Sequence, residues 1–172
     1  MIGRPEIEAA RRDIAGVVRP TPVFGSEGLS LMAGRTVLFK PEHLQRTGSF
    51  KIRGAYHRIA QLAGEGGHGN QAGRSGARRA VGAAAGGGDP GDAAGEGLEV
   101  VAASAGNHAQ GVALAARLCG LRCRVFMPLS APLPKLDATR GYGAEVELVG
   151  EVVDDCIVAA ISYAHSHGAV FV

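Results

Sequence analysis

Tryptophan is absent from the 172 residues and only 5% of them are aromatic, which disfavours a sandwich built round an aromatic core. An excess of one charge is also missing, since 18 Lys and Arg stand against 16 Asp and Glu for a net +2. That balance gives no strong field for nucleic acid or an anionic membrane, and no basic run is interleaved with aromatics. No segment is long and apolar enough to span a bilayer. The opening MIGRPEIEAARRDIAG is charged and has no apolar signal-peptide run. A cytoplasmic protein is expected, with no nucleic-acid and no membrane partner. Cysteine is scarce: Cys119, Cys123 and Cys156 form no CxxC pair, and their odd number argues against a disulfide frame or a zinc site. They read as small buried apolar residues, and no metal is expected.

What is present is glycine, 27 in all, within a chain that is 46% hydrophobic. This suits a tightly turned α/β protein with a real core. Residues 5–18 space Ile7, Ala10, Ile14 and Val17/Val18 as a helix, which Pro20 and Pro22 end. TVLFK, 36–40, reads as a strand, and 49–63 as a helix with Ser49 as N-cap. Residues 64–97 hold 13 Gly and 8 Ala in 34 positions, too little apolar surface to offset ordering entropy. They read as a flexible insertion, with Arg74, Arg78 and Arg79 solvated. From 98 onward, LEVVAAS, RCRVFMP, AEVELVG and AVFV alternate as strands with three helical segments. Near-continuous apolar strands between helices predict an open parallel sheet with right-handed crossovers. The expected units are 1–63, part of a larger lobe; 64–97, the insertion; and 98–172, a small parallel α/β lobe.

Two stretches carry chemistry. ASAGNHAQG, 103–111, joins a strand end to a helix start, where ligands of open α/β sheets bind. Its free N–H groups favour a carboxylate or phosphate, and Ser104, Gly106, Asn107 and His108 supply donors. The same residues also suit a plain N-capped turn, and the local pattern does not choose between the two. It is not the spaced-glycine fingerprint of a dinucleotide site. TGSFKIRGA, 47–55, sets Lys51 between Phe50 and Ile52 at a helix start. A lysine titrates ordinarily near ~10.4, and burial or a neighbouring cation frees the amine as a nucleophile. An ordinary first-turn lysine is the alternative.

LFKPEHLQRTGSFKIRGA, 38–55, with VVAASAGNHAQGVALAA, 100–116, resembles the fold-type II pyridoxal-phosphate enzymes, and within them the threonine ammonia-lyases (threonine dehydratases). RPTPV at 19–23, VFMP at 125–128 and KLDATRGYGAEVELVG at 135–150 match the same family. The resemblance implies an α/β, tryptophan synthase β-like fold, here incomplete, and pyridoxal 5'-phosphate as cofactor. Lys51 would form the Schiff base and move the substrate's α-proton, and Phe50 beside it would also contact the cofactor. Asn107 would hydrogen-bond the cofactor's 3'-oxygen. Ser104, Ala105, Gly106, Asn107 and His108 would hold the substrate carboxylate. The implied substrate is a small hydroxyamino acid, deaminated to a 2-oxo acid and ammonia, and the full-length form would self-associate.

The family's glycine-rich phosphate loop, and the Ser or Cys that meets the pyridine nitrogen, come later in its members, and neither is found here. The expectation is the N-terminal part of an enzyme, binding cofactor weakly and turning over little or nothing alone. A serine racemase or other hydroxyamino-acid lyase, and a non-catalytic binding fragment, are the alternatives. His165 and His167 suit a helix C-terminus, Asp154 and Asp155 read as solvated, and His43 and His57 have no partner that the sequence names.

Overall fold

The computed structural model describes residues 2–66 and 97–172. Helix α1 runs Arg4–Asp13, with Pro5 in its first turn and the Glu6 carboxylate accepting from the Gly3 N–H at 2.8 Å. It is shorter than its apolar spacing suggested. The chain leaves the helix through Gly16 at φ +82, a left-handed conformation that releases Val17 into the core. A small antiparallel pair follows, β1 Phe24–Gly25 against β2 Leu38–Phe39, flanking helix α2 at Glu27–Ala33. The Ser26 hydroxyl caps α2 and Gly34, in the left-handed region, closes it. Only two residues of the strand expected at 36–40 pair, because β1 offers no longer partner.

Helix α3, Lys51–Gly66, places Ile52, Tyr56, Ile59 and Leu62 on one buried stripe at helical spacing. It takes in Gly64–Gly66, at the start of the segment expected to be an insertion. The rest of that segment, with Arg74, Arg78 and Arg79, lies at 67–96, outside the described residues.

The second half follows the expected alternation closely: β3 Glu99–Ala103, α4 Asn107–Cys119, β4 Arg122–Met127, α5 Leu133–Gly141, β5 Glu145–Leu148, α6 Val153–His167 and β6 Val170–Phe171. The four strands form one parallel sheet in the order β5-β4-β3-β6, with Val101 opposite Phe171 and Ala103 opposite Phe126. Alternation along each strand sends Val100, Ala102, Val125 and Met127 toward α4 and α3, and Val101 and Phe126 toward Cys156 and Ala160 of α6. Both faces are covered, hence the unbroken apolar runs. Helix α4 is buried continuously from Ala109 to Ala116, sandwiched between the sheet and α3, and its Ala and Gly residues allow that close approach.

Cys123 and Cys156 are buried as expected, and Cys119 is half-buried. Burial pushes the Cys119 thiol up to about 11 and, with Glu99 nearby, that of Cys123 to about 12. His167 stacks on Tyr163 at 4.0 Å, and both lie on α6. Asp154 and Asp155 are exposed, but Asp155 also caps α6, accepting from the Glu151 and Val152 N–H groups. The Nδ1 of His57 lies 3.0 Å from an Asp13 carboxylate oxygen, a neighbour that the sequence did not name, without forming a hydrogen bond to it.

Candidate active site

In strand order the chain runs outward from β3 to β4 and β5, then returns to the other side of β3 with β6. The carboxyl end of β3 is therefore the point where winding reverses, the place where open α/β sheets bind ligands. The turn Ser104–Gly106 sits there and feeds α4. The Ser104 N–H donates to the Phe126 carbonyl, and the Ser104 hydroxyl accepts from the Gly106 N–H at 3.1 Å. Among the described residues no side chain caps α4, whose N-cap is Gly106. The first N–H groups of the helix, from Asn107 onward, thus lack intrahelical acceptors and can receive an anion. The His108 Nε2 lies 3.3 Å from the Val172 carbonyl oxygen.

Lys51 opens α3, and α3 lies directly on α4. A Cβ built at Gly111 would stand 3.3 Å from the Lys51 carbonyl carbon, the Lys51 Cβ and the Ile52 nitrogen. Glycine at 111 therefore sets how near the lysine's backbone comes to the Ser104–His108 turn, one helical turn away. Ile52 is fully buried, whereas Lys51 and Phe50 face outward, Phe50 being 58% exposed with the Lys51 amine 5.2 Å from its ring centre. The partly dry setting expected for this amine is thus not provided by the described residues. The apolar neighbour on one side, Ile52, anchors the helix, and the other lies open.

A polar knot unnoticed in the sequence fixes the loop before Lys51. Gln45, almost fully buried, donates from Nε2 to the Arg19 carbonyl at 2.9 Å and accepts the Arg19 N–H at 2.8 Å. Glu42 takes two bonds of 2.8 Å from Arg53 and one of 2.6 Å from the Thr21 hydroxyl. Arg53 therefore turns its charge to Glu42. The guanidinium holds Glu42 down to about 2. Gly48 at φ +66 makes the bend into α3, and the Ser49 hydroxyl accepts the Lys51 N–H at 3.4 Å. Lys135 is a further missed residue. From the first turn of α5 its amine donates to Asn107 Oδ1 at 2.6 Å.

Comparison with known proteins identifies the family and the fold. The family model described as pyridoxal-phosphate dependent enzyme matches residues 14–172. The chain belongs to that family. It is 41% identical to the L-threonine ammonia-lyase of Thermotoga maritima over all 172 residues, which span 36% of that protein. Among solved structures, diaminopropionate ammonia lyase from Escherichia coli superposes with a TM-score of 0.77 at 27% identity, over 99% of this chain and 42% of the other. Maize serine racemase gives 0.70 at 28%, over 96% and 41%. The fold is the fold-type II α/β arrangement, of which the chain forms a partial domain, spanning well under half the length of these relatives.

The donor set suits the family's pyridoxal-phosphate cofactor. A reachable primary amine at Lys51 and a side-chain amide at Asn107 suit an aldehyde and a phenolic oxygen. No group of three or more His, Cys, Asp or Glu among the described residues gathers in a way that could hold a metal ion. None of the described helices is long and apolar enough to cross a membrane.

Proposed function

We propose that this chain carries the lysine and the carboxylate-binding turn of a pyridoxal-phosphate-dependent lyase that deaminates L-threonine, with L-serine as a second substrate. The observation that supports this most is the packing of the two motif-bearing helix starts, Lys51 of α3 and Asn107 of α4, through Gly111 at the winding reversal. When bound, the cofactor supplies an aldehyde for Lys51 and an electron-withdrawing ring. The Lys51 amine takes the proton from the substrate α-carbon. The Asn107 amide donates to the 3'-oxygen, and the open N–H groups at the start of α4 hold the α-carboxylate, with the Ser104 hydroxyl alongside. The α C–H and β C–O bonds break, and threonine ends as 2-oxobutyrate and ammonia with no net change in water. Alone, the 172-residue chain binds cofactor weakly and turns over little.

The test mixes the purified chain with pyridoxal phosphate, reduces with borohydride and locates the label by mass spectrometry. Selective labelling of Lys51, lost in Lys51→Ala, is expected. Label spread over Lys40 and Lys135, or none, overturns the assignment. The likeness to serine racemase favours a second reading, inversion of the α-carbon. Measuring ammonia release beside chiral inversion separates the two. A non-catalytic binding fragment would bind its amino acid unchanged in Lys51→Ala.

A further inference from the structure

Lys135 lies in the first turn of α5, Leu133–Gly141, where a cation opposes the helix dipole. Its position is thus not explained by the stability of α5. Lys135 as a residue is half-buried, and its amine reaches Asn107 Oδ1 at 2.6 Å across 28 positions of sequence, in an exposed bond. An ammonium has three donors and no acceptor, so the atom of Asn107 facing it must be the carbonyl oxygen. The amide NH2 is then committed to the opposite side. An unrestrained asparagine amide presents either its oxygen or its nitrogen with little preference; one tied to a cation loses a charge-assisted bond by turning over.

We propose that Lys135 is a positioning residue that fixes the Asn107 side chain as a donor, so that an anionic or phenolic oxygen is accepted at this site. The proposal rests on the role assigned to Asn107 under the functional reading above. It also gives a reason for a lysine on α5 to reach the start of α4: Asn107 is exposed, and the Lys135 amine ties its side chain down.

The test is a double-mutant cycle on the 172-residue chain, with pyridoxal phosphate affinity read by titration for wild type, Lys135→Met, Lys135→Arg, Asn107→Ala and the Lys135→Met/Asn107→Ala pair. Contacting pairs couple measurably. Lys135→Met is expected to weaken binding roughly 3- to 10-fold in the wild-type background and less than about 1.5-fold beside Asn107→Ala. Lys135→Arg, which keeps a cationic donor, should stay within about 2-fold of wild type. In the cofactor-free chain, Lys135→Met should move the Asn107 side-chain amide resonances while leaving the melting midpoint unchanged. Equal losses in both backgrounds, or unmoved amide resonances, overturn the proposal and leave the functional reading standing. A wild-type chain that takes no cofactor on Lys51 removes the functional reading, and this proposal with it.

Discussion

Glu42 is the residue on which the site loop's charges converge. Arg53 holds its carboxyl down to about 2, against 4.5 for the free group. A depressed carboxylate stabilises the fold fully above its unfolded value and loses that contribution as pH falls through its folded value. The loss from this group is therefore expected between about pH 4.5 and 2, and nothing from it at pH 6–8. Urea melts of wild type and Glu42→Gln should differ most near neutrality and converge toward pH 2. A gap that stays constant with pH would mean that the bond to Arg53 contributes little. Gln45 acts by a different means. It satisfies the donor and the acceptor of the Arg19 backbone at once, a role that depends on shape and not on charge. Lys51, Asn107 and the turn before α4 could be singled out as candidates in the sequence because each is marked by its immediate neighbours. Gln45, Lys135 and Gly111 were not, because each acts on a residue far away in sequence: Gln45 reaches back 26 positions, and Lys135 28.

Among the elements, the pairing of α3 and α4 decides where the lysine stands. Gly111→Val pushes side-chain atoms into the Lys51 and Ile52 backbone, and overpacking of this kind costs about 1–3 kcal/mol. Ile59→Ala empties a buried position in the same interface and costs about 2–5 kcal/mol. The two should separate by function: the Gly111 variant loses selective labelling of Lys51 while still folded, whereas the Ile59 variant melts earlier yet labels Lys51 normally. Equal labelling in both would detach Gly111 from the site. The same elements show what a sequence can and cannot reveal. From β3 to β6 every element was expected, since apolar runs and helical spacing alternate and glycines such as Gly120 close the helices. Strand β1 and helix α2 were missed. A two-residue strand has no alternation to detect, and α2 buries none of its residues, so only its caps, Ser26 and Gly34, mark it. Helix α1 was expected too long because its apolar spacing continues past the backbone bend at Gly16.

At the scale of the molecule, apolar burial is uneven. The sheet and its helices enclose one large cluster that includes α3, while Phe24 and Phe39 face each other in register on β1 and β2 with 56% and 46% of their surface exposed. A two-stranded pair is marginal in water, and exposed aromatic surface of this kind promotes association. The chain is expected to bind a hydrophobic dye and to self-associate as concentration rises. Phe24→Ser with Phe39→Ser should reduce both, with little change in the melting of the main sheet. Unchanged association would move its cause elsewhere on the surface.

The return of β6 to the flank of β3 also sets a schedule for synthesis. Histidine 108 meets its carbonyl partner 64 positions further along the chain. At ~5–20 residues per second, the ribosome leaves that flank of β3 unpaired for roughly 3–13 s after the Ser104–His108 turn has emerged. The nascent site is thus a temporary open edge, available to chaperones or to strands of neighbouring chains until Val170 and Phe171 arrive.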